Sequence, residues 1–259
     1  MKYFLTILIA VSSVPLLAQW PSYPTRGVPR TADGKPNLSA PAPRGADGKP
    51  DFSGLWDTQN RGLSQFNNIV PSVQGGLPYR PGMAEFARKR AEPPRDTEPI
   101  TRCLPTGILV YHTWPGGYKR IVQTPGITFL LYEYNFSFRQ IFTDGRPLPT
   151  DAVPTWNGYS TGRWEGDTLV VETSGFQDGQ WLDTEGAVVT DAAKITERFR
   201  RRDFGHLEIQ VTVDDPKAYT KPFTVTVNQV LKPDTDMMEY ICLENEKDLT
   251  HLTAGTPKK

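Results

Sequence analysis

The sequence predicts an all-β protein, an antiparallel up-and-down barrel of about 8–10 strands behind a long irregular N-terminal arm. Short β-branched or alternating runs are joined by Gly- and Asp-containing hairpin turns. The 259 residues include 24 prolines and 22 glycines, which favour turns over long helices. So many short strands leave edges, and closing the sheet on itself removes them.

Residues 1–18 carry one lysine, an apolar run and a small residue, Ala18, the pattern of a secretory signal peptide. The run is too short for a bilayer span and has no basic stop-transfer flank, so the expected location is periplasmic or secreted, with no membrane contact after cleavage. Residues 19–49 are rich in Pro, Gly, Ala and Arg, poor in large aliphatics, and read as an arm or linker. Within them ADGKPNLS, starting at Ala32, recurs as ADGKPDFS, starting at Ala46, and only the second copy runs on into a hydrophobic strand at Phe52.

The barrel domain is expected over residues 50–248. Its first strand carries SGLWDT, residues 53–58. Residues 60–101 read as loop, with a short helix at 82–91. Strands are expected from residue 108 onward. Residues 119–124 and 127–134 flank Pro125-Gly126, a type II turn pair, and Asn135 and Phe136 turn the chain into a strand at 137–143. The most legible hairpin is 162–176, GRWEGDTLVVETSGF, where Gly166 can take φ > 0 and residues 168–173 are rich in β-branched residues. Residues 195–199 and 207–213 alternate so that Ile195, Glu197, Phe199, Leu207, Ile209, Val211 and Val213 face inward. Phe223, Val225, Val227, Gln229 and Leu231 share one face of the next strand, residues 236–242 form the last, and 249–259 is a flexible tail.

The 29 basic and 29 acidic side chains cancel, so no global field favours nucleic acid or an anionic membrane. Cys103 and Cys242 are the only cysteines, and export makes a disulfide between them the favoured reading over two buried thiols. His112, His206 and His251 are scattered, with no metal-ligand spacing. No GxSxG, P-loop or GxGxxG is present, so no metal or cofactor is expected.

Chemistry is sought instead where polar groups fall on inward faces. Glu197 lies between Ile195 and Phe199, where an unpaired carboxylate would cost several kcal/mol. Glu133 and Arg139, near one turn, are candidate cross-strand neighbours. Gln229, Glu239 and Tyr240 complete the set on the last two strands, and Trp156 and Trp181, in proline- and glycine-rich loops, are the tryptophans best placed for a ligand. Each has a plainer reading as an ion pair, a rim residue or a core filler.

SGLWDT resembles the Gly-x-Trp that opens the first strand of lipocalin-like and related calycin barrels, in which the tryptophan plugs the closed end. Over about residues 46–248 the chain also resembles a family of uncharacterised secreted bacterial proteins. The shared motifs are DGKPDxSGxW, CxPxG, IVQTPG, DGRxxP, GRWEGDTLVV, ERFRR, DP-x-YT and EYIC-x-EN. Relatives in that family often have histidine where this chain has Leu148. The resemblance implies a secreted barrel-like domain and brings no catalytic residue with it.

Three functions fit these readings. The first is a barrel binding a small amphipathic or sugar-like ligand in its interior, with Arg139, Trp156, Trp181, Gln229, Glu239 and Tyr240 as contacts. The second is a metal-independent lyase, isomerase or glycan-modifying enzyme using Glu197, or Glu133 with Tyr134, as general acid or base. The third is a structural or interaction module with a filled core.

Overall fold

The computed structural model describes residues 23–59, 73–95, 97–114, 117–242, 244 and 247. The expected signal peptide at 1–18, the tail at 249–259 and most of the loop after the first strand lie outside the described residues. Nine strands close into a barrel: β1 (Gly54–Thr58), β2 (Lys119–Thr124), β3 (Ile127–Tyr132), β4 (Phe138–Phe142), β5 (Tyr159–Glu165), β6 (Thr168–Ser174), β9 (Lys194–Arg201), β10 (His206–Asp214) and β11 (Phe223–Leu231). Around the wall the order is β1-β11-β10-β9-β6-β5-β4-β3-β2. A two-stranded ribbon outside the barrel, β7 (Gln180–Trp181) with β8 (Val188–Val189), interrupts the path from β6 to β9. Eight of the nine neighbouring pairs in the wall are antiparallel. β4 and β5 run parallel, meeting only at Ile141↔Ser160 and Phe142↔Thr161. The barrel is therefore up-and-down everywhere except at this seam, which is crossed by the proline-rich segment 143–158.

The alternation read from sequence sets the inner face. Leu207, Ile209, Val211 and Val213 of β10 stand opposite Arg201, Phe199, Glu197 and Ile195 of β9, and all eight are buried. Two helices differ in how visible they are. α1 (Met83–Ala91) matches the expected helix. α2 (Ile108–Thr113) falls where strand was expected; all six of its residues are buried. Its ILVY run has the composition of a buried strand, and a short apolar run cannot be assigned by periodicity alone. Residues 236–242 are not a strand either. After β11 the chain leaves the wall and runs outside it, with the Met238 N–H donating to Glu133 Oε1 at 2.6 Å.

One end of the barrel is closed around Trp56, which is fully buried, donates from Nε1 to the Phe52 carbonyl at 2.9 Å and lies 4.9 Å beneath the Arg201 guanidinium. Gly54 is required beside it: its φ is 140°, and a Cβ there would fall 2.6 Å from Leu231 Cδ1. The arm docks on this end through backbone bonds from Phe204 and Gly205 to the Ala40 and Leu38 carbonyls. Its repeat is longer than ADGKP. Each copy begins with Pro-Arg, and each arginine bonds the glycine carbonyl of its own turn while gripping an aspartate beyond the arm: Arg30 takes Gly34 O and Asp234, and Arg44 takes Gly48 O and Asp167.

Cys103 and Cys242 form a disulfide, with Cα atoms 5.7 Å apart and a sequence separation of 139. It ties the segment after β11 to the end of the barrel opposite the arm. In the chain-entropy picture a loop of this length restricts the unfolded chain by up to about 5 kcal/mol. Replacing both cysteines by serine is expected to lower the urea-unfolding free energy by an amount approaching that figure, while the far-ultraviolet circular dichroism of the folded protein is retained.

Candidate functional site

Inside the barrel the inward positions of β4, β5, β6 and β9 bring four polar side chains together. The Arg139 guanidinium donates from Nη1 to Glu197 Oε1 at 3.0 Å, from Nη2 to Glu197 Oε2 and to Thr173 Oγ1, and from Nε to Ser160 Oγ at 2.9 Å. Ser160 and Thr173 bond each other at 3.0 Å. All four are buried. α2 adds the fifth member, His112, whose Nε2 lies 2.7 Å from Glu197 Oε1. Gln229 holds the helix from the opposite wall, donating from Nε2 to the His112 carbonyl at 2.8 Å, and its Oε1 accepts from Lys119 Nζ.

The ionisation of this cluster follows from burial set against pairing. Burial would raise the Glu197 carboxyl, but the Arg139 charge and the bonds from His112 and Arg139 outweigh it and hold the pKa down at about 2. Burial lowers the His112 pKa despite Glu197, leaving a neutral ring that donates its Nε2 proton to the carboxylate. Lys119 gains no such compensation. It is fully buried and bonded to a neutral amide, and burial pulls its pKa down to about 7, opposed only by more distant Asp57.

The expected site residues do not form one group. Glu197, Arg139 and Gln229 are gathered in the interior. Glu133 does not meet Arg139, which lies across from Leu130. Glu133 accepts instead from the backbone N–H groups of Tyr118 at 3.1 Å and of Met238. Tyr134 sits in a short 3-10 turn, its ring 5.3 Å from that of Tyr240 and 6.0 Å from that of Trp114. Glu239 and Tyr240 are exposed on the outer segment and not on a strand. Trp181 is buried in the ribbon with the guanidinium groups of Arg90 and Arg95 at 4.5 and 5.5 Å from its ring. Lys119, His112, Ser160 and Thr173 were not singled out from sequence. Parity offered a signal for two of them, since Thr173 shares a face with Leu169 and Val171, and Lys119 with Ile121.

Trp156 lies elsewhere, in an open cleft of about 370 Å³ in the barrel wall. β4 and β5 pair at only two positions and diverge beyond them. The gap is lined by Phe138, Gln140 and Phe142 from one side and by Trp156, Asn157 and Tyr159 from the other. Arg139 and Ser160 also line it, although their side chains turn inward to the buried cluster. Phe142 and Tyr159 stack across the seam at 5.2 Å, and Asn157 Nδ2 donates to Ser137 Oγ and to the Phe138 carbonyl at 3.0 and 3.1 Å. The cleft is thus an aromatic slot with amide groups, and Phe138 is 57% exposed at its edge.

The interior cluster can order charge, but it is a poor acid or base. A general acid at neutral pH needs a raised carboxyl pKa, and that of Glu197 is depressed and its two oxygens are committed. Among the described residues no group of three or more His, Cys, Asp or Glu side chains is gathered as metal ligands would be. No protein-family model matches the chain, and no curated protein matches its sequence.

Glu197→Gln leaves the Arg139 charge buried without its partner and is expected to destabilise the protein by about 3–5 kcal/mol in urea unfolding. The paired change Arg139→Met with Glu197→Leu is expected to be much milder than the single one. Lys119 gives a pH signature. Its folded pKa of about 7 lies below the unfolded value of about 10.4, so between them the unfolded chain holds a proton that the native state lacks. Stability should therefore rise from pH 7 to 9 and be lost as pH falls back to 7, and the rise should flatten in Lys119→Met.

Proposed function

We propose that this is an exported β-barrel protein that binds a small amphipathic or sugar-like ligand, and that the ligand sits in the wall cleft at the β4–β5 seam rather than along the barrel axis. The cleft of about 370 Å³, with Trp156 and Tyr159 facing Phe138 and Phe142, carries this reading. It has the size of a small-molecule site and the make-up of one, apolar faces with a few amide groups to fix orientation. The axis is occupied by α2 and the Arg139–Glu197 pair. Export is supported by the leader-like residues 1–18 and by the disulfide, which suits an oxidising compartment. Membership of the secreted family that the motifs resemble is part of the same proposal.

The filled axis favours the structural-module reading over a lumenal carrier, and binding measurements separate it from the cleft. Anilinonaphthalene sulfonate, as an amphipathic aromatic probe, and a panel of neutral oligosaccharides would be titrated against the protein and against Trp156→Ala. Saturable binding of either class, weakened about tenfold or more in Trp156→Ala at an unchanged melting temperature, is the expected outcome. Binding that ignores Trp156, or no binding by either class, would leave the structural module standing.

A further inference from the structure

A second pocket, of about 290 Å³, lies at the arm-covered end of the barrel, between residues 25–28, the start of β1 and the chain leaving β11. Its walls divide by chemistry. Val28, Leu55, Phe204 and Leu231 supply an apolar side, while Arg26, Arg120, Arg201 and Lys232 bring cations from four separate stretches of sequence. Two of these cations are balanced nearby: Arg120 meets Asp236 at 3.1 Å, and Lys232 meets Asp57 at 3.3 Å. Asp51, the remaining carboxylate of the lining, accepts the Ser53 N–H at 2.8 Å.

Arg201 and Arg26 are different. Arg201 is buried, yet its N–H groups go to neutral carbonyls: Nε to Asp203 and Phe204, Nη1 to Asp51 and Ser53, and Nη2 to Phe204. Among the described residues one Nη2 hydrogen is left uncommitted, and no carboxylate forms an ion pair with the group. Burial pulls the guanidinium pKa down to about 10, although the nearby charges of Asp51 and Asp203 oppose it. Arg26 is exposed at the mouth and, among the described residues, forms no ion pair. A buried cation with no carboxylate bonded to it, a cation at the mouth that forms no ion pair among the described residues and an apolar wall between them are the complement of an anion with a hydrophobic body, and four lining cations outnumber the two lining carboxylates.

We propose that this pocket binds a small organic carboxylate, its oxygens directed to Arg201 and Arg26 and its apolar body laid against Leu55 and Leu231. The site is independent of the wall cleft, so either can fail without the other.

The test is calorimetric titration of the protein with benzoate, with its neutral isostere benzamide, and with inorganic phosphate, an anion lacking an apolar body. Benzoate should bind saturably at one site, benzamide about tenfold or more weaker, and phosphate weaker than benzoate. Arg26→Gln, a surface change outside the ion-pair network, should weaken benzoate about tenfold while leaving both the melting temperature and probe binding at the Trp156 cleft unchanged. Equal affinity for benzoate and benzamide, benzoate affinity untouched by Arg26→Gln, or no saturable benzoate binding would each overturn the proposal. Phosphate binding as tightly as benzoate would overturn the part assigned to the apolar wall.

Discussion

A ring of strands in which every neighbour runs the opposite way can close only with an even number of members. This barrel has nine, so one neighbouring pair has to be parallel, and that pair is β4–β5. A two-residue hairpin cannot join parallel neighbours; the chain must return along the barrel before it starts the next strand, which is what residues 143–158 do. Their prolines suit that task, since they cannot donate to a ladder and the segment's one bridge among the described residues, Thr155↔Phe176, uses none of them. The parallel pairing itself lasts only two residues, and beyond it the wall opens. The Phe142–Tyr159 stack and the bonds from Asn157 hold the edges together where backbone bonds do not. The opening at the seam thus follows from strand parity, and the crossover places Trp156 in it.

The ion pair on the axis answers a second geometric demand. An eight-stranded barrel is filled by its own side chains, and a ninth strand widens the interior. Here the extra room holds α2, which brings backbone carbonyls and a histidine into the buried interior. Gln229 meets one carbonyl, and Glu197 accepts a hydrogen bond from the imidazole. A lone carboxylate could not stay ionised there. Arg139 makes it possible because its planar fork reaches both carboxylate oxygens while its remaining N–H groups bind the hydroxyls of β5 and β6. Four wall strands and the internal helix are joined through two charges. Such a pair adds little net stability over a well-packed apolar core, but it fixes which strands and which helix face meet.

Much of this was legible in the sequence, and what was hidden had physical reasons. Period-two alternation placed Glu197 inward on β9 and Gln229 inward on β11, and the turn chemistry of Pro125-Gly126 and Glu165-Gly166-Asp167 marked two hairpins. Alternation gives the face of a residue, not its partner. Arg139 was therefore matched with Glu133, its neighbour in sequence, when its real partner lies 58 residues away on β9. α2 was hidden because the six-residue run ILVYHT is too short to carry a usable period. His112 went with it, since a lone histidine gains meaning only from the carboxylate that folding brings to it. The parallel seam left no local mark at all: it follows from the total strand count, which is known only when the ring is complete.

The arm shows the same limit from the other side. The repeated ADGKP was visible, yet the residue that explains the duplication is the arginine two positions before it. Each copy folds into the same small turn and presents one guanidinium, which closes its own loop and then reaches one aspartate beyond the arm, Asp234 after β11 or Asp167 in the β5–β6 turn. Exposed pairs of this kind contribute about 1 kcal/mol or less each. Placed fourteen residues apart they act as two pins on one strap, so neither has to be strong for the arm to lie over the Trp56 end. With the arm across one end of the barrel and the disulfide-tied segment at the other, the opening at the seam lies in the side wall. A ligand could enter and leave that opening without parting the strands, breaking the Arg139–Glu197 pair or lifting the arm, so the rigidity of the interior and exchange at the cleft do not compete.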